Sequence, residues 1–328
     1  MTQALRLGTR RSALATAQSQ RVADALAAVV GRPVELVPIT SEGDVSRASL
    51  SQLGGQGVFA TRLREALLAD QCDVLVHSLK DLPTAPAPGL VIAATPPRED
   101  ARDVVITRDG TALHELRAGA TVGTGSPRRR AQLAIRNPRL EVQDIRGNVD
   151  SRLGRVRTGA SHAVILAAAG LARLGGLPDD LYGEPLGLAE WPTAPGQGAL
   201  AVEIRADAAA DLRAAVARLD DAPTRIAVTA ERGVLAALDA GCHAPVGVHA
   251  VCLEGGMLHV RAVAYAPDGG DRISIDRTVR IDGGYAGEAG GGNGAGAAGD
   301  DDPVVRAESA GHDIAREMLE RGAAELTA

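Results

Sequence analysis

At 328 residues with 45% hydrophobic side chains, the chain is too long for one ordinary core and too apolar to be disordered, so two or three domains are expected. A formal net charge of −6 argues against a general nucleic-acid binder, and 2% aromatic residues leave few platforms for stacked bases. No run approaches the roughly 20 apolar residues that cross a bilayer, and residues 1–9 lack the charged start, apolar stretch and cleavage site of a secretory leader, so a cytoplasmic protein with no membrane partner is expected.

In chain order, short apolar runs alternate with helical patterns. Residues 5–7 read as a strand, 12 to about 30 as a helix capped by Ser12, 34–39 as a strand, 61–69 as a helix and 72–76 as a strand, which is the rhythm of βαβ units. Leu14, Val22, Leu26 and Val29 supply the buried stripe of the first helix. A proline-rich stretch, 83–97, interrupts the pattern, and a second series follows with strands at 103–107, around 122, at 140–145 and at 164–166. Another rigid break surrounds Pro192 and Pro195, after which 200–205 read as a strand and 208–219 as a helix. Two crossings between the same two lobes predict a hinge with a cleft. From about Pro223 a helix leads to Gly241-Cys242, then come three strands (246–253, 258–265, 273–281) and a last helix near 304–324. The expected domains are 1–96 with 196–219, then 97–195, then 220–328, the last a smaller α+β unit. Nine of the seventeen residues in 283–299 are glycine, which predicts a surface loop with little to bury.

Cationic side chains are unevenly spread. Nine arginines lie between 128 and 157 against three acids, and Lys80 is the single lysine among 35 basic residues. His77-Ser78-Leu79-Lys80-Asp81-Leu82-Pro83 follows a strand, where α/β folds place ligands; the Lys-Asp pair can hold an anion and steady a developing cation, or be a solvated ion pair on a turn. Gly123-Thr124-Gly125-Ser126-Pro127-Arg128-Arg129 is a strand-to-helix turn whose amides and guanidiniums suit carboxylates or phosphates. Arg146, Arg152 and Arg173 also follow strands, although a GC-rich genome decorates helices with arginine without purpose. No phosphate-loop or dinucleotide fingerprint is present. The three cysteines form neither a paired framework nor a metal spacing, so no metal site is expected. Cys72 and Cys252 sit in apolar strand patterns and read as packing residues, whereas Cys242 lies in a loop and is a candidate reactive thiol or an inert one.

Taken in register, Thr9-Arg10-Arg11-Ser12, Gly54-Gly55-Gln56-Gly57, the His77 to Pro83 block, Gly123 to Arg129, Arg146-Gly147-Asn148-Val149, Pro195-Gly196-Gln197-Gly198 and Gly241-Cys242 resemble the hydroxymethylbilane synthase family, also called porphobilinogen deaminases, over nearly the whole chain. The resemblance implies two lobes like those of periplasmic binding proteins around a hinged cleft, with a third domain carrying a cofactor cysteine. It implies a monomeric transferase of tetrapyrrole (porphyrin and heme) biosynthesis that joins four porphobilinogen units, releases ammonia and hydrolyses off hydroxymethylbilane. By similarity a dipyrromethane primer hangs by a thioether from Cys242, and Asp81 stabilises charge on pyrrole nitrogens. Arg10, Ser12, Ser78, Lys80, Thr124, Ser126, Arg128, Arg129, Arg146, Arg152, Arg173 and Gln197 match places that bind the cofactor, porphobilinogen or the oligopyrrole intermediates. Gln56 and Thr61 stand where relatives commonly have lysine, and Gly125 replaces a common serine. A solute-binding protein, a cysteine hydrolase and an arginine-rich RNA binder are the competing readings; the first would normally carry a secretory signal and would not need Cys242 and Asp81, the second needs a histidine near Cys242, and the third lacks aromatics.

Overall fold

The computed structural model describes residues 4–40, 58–239, 244–282 and 302–327. Gln56, Cys242 and the glycine-rich 283–299 therefore lie outside the described residues.

The chain opens with β1 (Leu5–Thr9), α1 (Ala13–Val30) and β2 (Val34–Pro38), continues through α2 (Val58–Leu68) to β3 (Val74–Ser78), a single 3-10 turn (Leu79–Asp81) and β4 (Leu90–Ala94). Extended backbone at Ser12 lets its hydroxyl accept the Ala15 amide at 3.3 Å, and Gly31, at φ +65°, stops the helix. Val22 and Leu26 are buried as expected, but Leu14 and Val29 are only half-buried; Gln18 and Ser19 take the inner face instead. Ser19 bonds Thr9 at 2.8 Å and the Gln18 carboxamide bonds Ser78 at 3.0 Å, so polar pairing replaces apolar burial where the helix faces the strand ends. The strand β4, inside the proline-rich stretch, escaped the sequence reading because prolines surround a run of only five residues.

The second lobe holds β5 (Asp103–Thr107), β6 (Thr121–Gly123), α3 (Pro127–Arg136), β7 (Glu141–Gln143), α4 (Val149–Arg157), β8 (Ala163–Ala167), α5 (Ala168–Arg173) and β9 (Tyr182–Pro185). The chain then returns through β10 (Leu200–Arg205) and α6 (Ala210–Ala217). The two five-stranded sheets run β2-β1-β3-β10-β4 and β7-β6-β8-β5-β9. They share one plan: β1 is parallel to β2 and β3, β6 is parallel to β7 and β8, and the antiparallel member, β10 or β5, is the strand that has just crossed from the other lobe. Every parallel strand therefore points its C-terminal end the same way within its sheet, and ligand-binding loops gather there. Separate apolar clusters fill the lobes: Leu7, Leu26, Val74 and Ile204 in one, Val105, Leu133, Ile165 and Trp191 in the other. Each fully buried leucine contributes about 2 kcal/mol.

The third unit is α7 (Ala222–Ala237), an antiparallel meander β11 (Val246–Leu253), β12 (Met257–Tyr265) and β13 (Arg272–Arg280), then α8 (Pro303–Glu320) and α9 (Ala323–Thr327). The helices α7 and α8 cross where Gly311 lies so near that a Cβ there would stand 2.4 Å from the Ala230 carbonyl. Cys72 is fully buried and Cys252 half-buried, and burial pushes the Cys72 thiol up to about 11. Among the described residues, no helix is long and apolar enough to cross a membrane.

Glu231 of α7 ties the three units together. Its carboxylate takes two bonds from Arg98 at 2.7 and 3.0 Å, one from the Gly196 amide at 2.6 Å and one from the Ala250 amide at 2.8 Å. Arg98 and Gly196 belong to the two crossings, so the segments joining the lobes are both pinned to the third unit. The lobes also touch directly: Arg21 of α1 reaches the Ala172 carbonyl of α5 at 3.2 Å and Glu99 at 2.9 Å.

Candidate active site

The candidate residues with described positions sit in the turns and helices that follow strands, or on the second crossing. After β3 come Ser78, Lys80 and Asp81; after β6, Thr124, Ser126, Arg128 and Arg129; beyond β7, Arg146 and Arg152; at the end of α5, Arg173; before β10, Gln197; and after β1, Arg10 and Ser12. Several have local work that their spacing also explains. Ser12 caps α1, and Ser126 caps α3 through the Arg129 amide at 3.5 Å while its own amide bonds the buried Thr124 hydroxyl at 3.2 Å. Ser78 is held by Gln18. Gly125 has no room for a side chain, since a Cβ would meet the Ile145 carbonyl at 2.8 Å; a serine there requires the β7 end to shift.

Asp103, the first residue of β5, is the centre of the site and was invisible as such in sequence. Its fully buried carboxylate accepts from Arg128 Nη2 at 2.8 Å, Arg129 Nε at 3.0 Å and Nη2 at 2.6 Å, Trp191 Nε1 at 2.9 Å and Gln197 Nε2 at 2.8 Å. Burial pushes this carboxyl upward, but the guanidiniums of Arg129 and Arg128 outweigh it and hold it well below the usual carboxylate range. Arg128 and Arg129, expected to face a ligand, are thus largely buried against Asp103, with further bonds to Gln132, Pro192 and Ile165. The Nε of Arg128 is buried and has no partner.

Gln197 carries the cluster across to the first lobe. Its amide donates to Asp103 and its Oε1 accepts from Lys80 Nζ at 3.2 Å. Burial pulls the Lys80 ammonium down to about 8, with Asp81 opposing and Arg129 reinforcing the shift. Asp81 beside it is exposed. On the far side, half-buried Arg152 bonds the Gly147 carbonyl at 2.9 Å and is lowered by burial and then by Arg129 and Arg146, with Asp144 opposing. Arg146 lies 3.8 Å from Asp144. The linked group is Lys80, Arg128, Arg129, Arg146 and Arg152 against Asp81, Asp103 and Asp144, an excess of cations in a partly desolvated space. Arg173 belongs to a different set: buried, it donates to the Gly198 carbonyl at 2.5 Å and is lowered to about 10 by burial, with Glu99 opposing. His77 points away from the cleft, into a bond with buried Glu203 at 3.2 Å that Arg64 shares.

A two-lobed α/β chain with a cation-rich cleft, spanned by Gln197 between Lys80 and Asp103 and edged by the exposed carboxylates of Asp81 and Asp144, has the makings of a site for multiply anionic molecules. Two family models cover the chain: "porphobilinogen deaminase, dipyromethane cofactor binding domain" at residues 5–213, and "porphobilinogen deaminase, C-terminal domain" at residues 225–320. A porphobilinogen deaminase of Leifsonia xyli is 54% identical over 282 residues, covering 85% of each chain. That of Thermobifida fusca is 49% identical over 326 residues, 98% of this chain and 95% of its own. The chain belongs to the porphobilinogen deaminase family. Among solved structures, a periplasmic substrate-binding protein of a Coxiella burnetii ABC transporter covers 67% of this chain and 93% of its own at 14% identity, with a TM-score of 0.43, a likeness too slight to bear on the site.

Proposed function

We propose that the chain catalyses the porphobilinogen deaminase reaction, joining four porphobilinogen molecules head to tail on a dipyrromethane primer and hydrolysing off hydroxymethylbilane. In each condensation a carbon–carbon bond forms, the bond to the aminomethyl nitrogen breaks, and ammonia and a pyrrole proton leave. The observation that carries this reading is the excess of cations around Asp103, because each pyrrole brings an acetate and a propionate.

The residues present suit the primer. An unpartnered buried Arg128 Nε and an Arg152 crowded by Arg129 and Arg146 are donors in want of anions. Bound dipyrromethane supplies the nucleophilic pyrrole carbon that begins the chain. We assign its thioether anchor to Cys242, which follows α7 in sequence. Arg146 and Arg152 bind side-chain carboxylates with paired donors, and Arg128 and Arg129 do so through the donors that Asp103 leaves over. Arg10, Ser12, Ser78, Thr124 and Ser126 complete the binding wall, through main-chain placement as much as direct contact, while Arg173 supports it from behind by holding the Gly198 carbonyl of the second crossing. Lys80 holds a carboxylate while Gln197 keeps its ammonium in place. Asp81 accepts from pyrrole N–H groups and stabilises the positive charge that develops there as ammonia departs.

The domains are assigned as 1–96 with 196–219, 97–195, and 220–328, supported by the three sheets and by the strands that cross between two of them. The protein is assigned to the cytoplasm as a monomer without a nucleic-acid or membrane partner; its net charge of −6 speaks against nucleic acid, and sedimentation tests the monomer. Incubation with porphobilinogen tests the activity itself: one ammonia per molecule consumed and a linear tetrapyrrole product are expected, and neither appearing overturns it.

A further inference from the structure

A 3-10 turn of three residues has one internal hydrogen bond to hold it, here from the Leu82 amide to the Leu79 carbonyl at 3.1 Å. That turn carries Lys80 and Asp81, so its position must be set from outside. One support is the Leu79 amide on the Ala199 carbonyl at 3.1 Å, and a second is apolar, Leu79 and Leu82 sharing a cluster with Val228 of α7. The third is Arg232, one turn further along α7. Its Nη1 donates to the carbonyls of Leu82 at 3.0 Å and Leu79 at 3.4 Å, and its Nη2 to that of Pro83 at 2.6 Å. One rigid fork thus grips the main chain on both sides of Lys80 and Asp81.

We propose that Arg232 is a positioning residue for the condensation, fixing Asp81 relative to α7, the helix that precedes Cys242 in sequence, an inference that rests on the deaminase reading. Asp81 acts on charge that develops during reaction, so a displaced Asp81 costs rate rather than affinity.

The test compares wild-type, Arg232→Gln, Arg232→Lys and Arg225→Gln holoproteins, with primer loading counted by intact mass and kcat and KM for porphobilinogen taken per loaded site. Arg225→Gln breaks a 2.7 Å ion pair to Asp220 near the start of α7 and leaves the turn alone. Arg232→Gln should lose about ten- to a hundredfold in kcat with KM changed less than about twofold, and Arg232→Lys should recover part of that. Arg225→Gln should lower Tm and keep kcat. Wild-type kcat in Arg232→Gln, or an equal loss in Arg225→Gln, overturns the positioning role. Should Arg232→Gln fail to fold, Arg232→Lys decides: a loss of about threefold or more in kcat at unchanged KM supports the role, and wild-type kcat ends it. A loaded wild type that does not consume porphobilinogen overturns the underlying reading, and the proposal with it.

Discussion

Arg129 meets Asp103 with two hydrogen bonds, Nε to Oδ2 at 3.0 Å and Nη2 to Oδ1 at 2.6 Å, and both side chains are buried. Arg128 shares the same carboxylate, so removing it strands two guanidiniums in a desolvated space. Asp103→Ala should therefore destabilise the protein by about 3–5 kcal/mol. Urea unfolding followed by second-lobe fluorescence of Trp191 measures it, and a wild-type midpoint would contradict the account.

Asp81 is exposed and caps no buried pair, so Asp81→Ala should keep the wild-type Tm. Its turnover should fall roughly a hundred- to a thousandfold, the usual cost of losing one charge-stabilising group. Near-normal turnover would remove Asp81 from the mechanism.

Arg152 separates binding from folding. Burial and its like-charged neighbours Arg129 and Arg146 disfavour its charge, and its one fixed contact among the described residues is the Gly147 carbonyl at 2.9 Å. Arg152→Met should hold or raise Tm while weakening elongation about tenfold or more, through loss of a charge-assisted bond. A lowered Tm with normal elongation would mean that the residue is structural.

The pH dependence turns on Lys80. Burial lowers its folded pKa to about 8 from the ordinary 10.5, so the folded protein releases this proton first as pH rises. Between those values the unfolded chain binds more protons, and this group's contribution to stability therefore improves as pH rises, while the ammonium needed for a carboxylate is lost. An alkaline limb in kcat/KM near the folded value is expected, and Lys80→Arg should move it upward. The same limb in both proteins would assign it to another group.

The strand-end candidates were legible because apolar runs of strand length stop at small, hydroxyl and glycine residues that turns and helix caps require, as at Thr9 to Ser12 and Gly123 to Ser126. The wiring behind them was not. Asp103 reads as one acid before an apolar run, and its partners Arg128, Arg129, Trp191 and Gln197 come to it through tertiary folding alone. The strand β9, Tyr-Gly-Glu-Pro, has no apolar run and forms because β5 offers it an edge. Arg232 was hidden for a similar reason, as one arginine among many on a helix of the third unit, although its guanidinium reaches carbonyls of the first lobe. Gly125, which stands where a serine is common, also marks a close approach of two backbones that sequence does not reveal.

We propose that a dipyrromethane is held covalently on Cys242, and the intact mass of the denatured protein tests it most directly, since a thioether survives unfolding. Wild-type protein, as purified or after incubation with porphobilinogen, should carry an added mass of two pyrrole units that Cys242→Ser lacks. Bare-chain masses for both proteins after that incubation, or the same adduct on the variant, would contradict it.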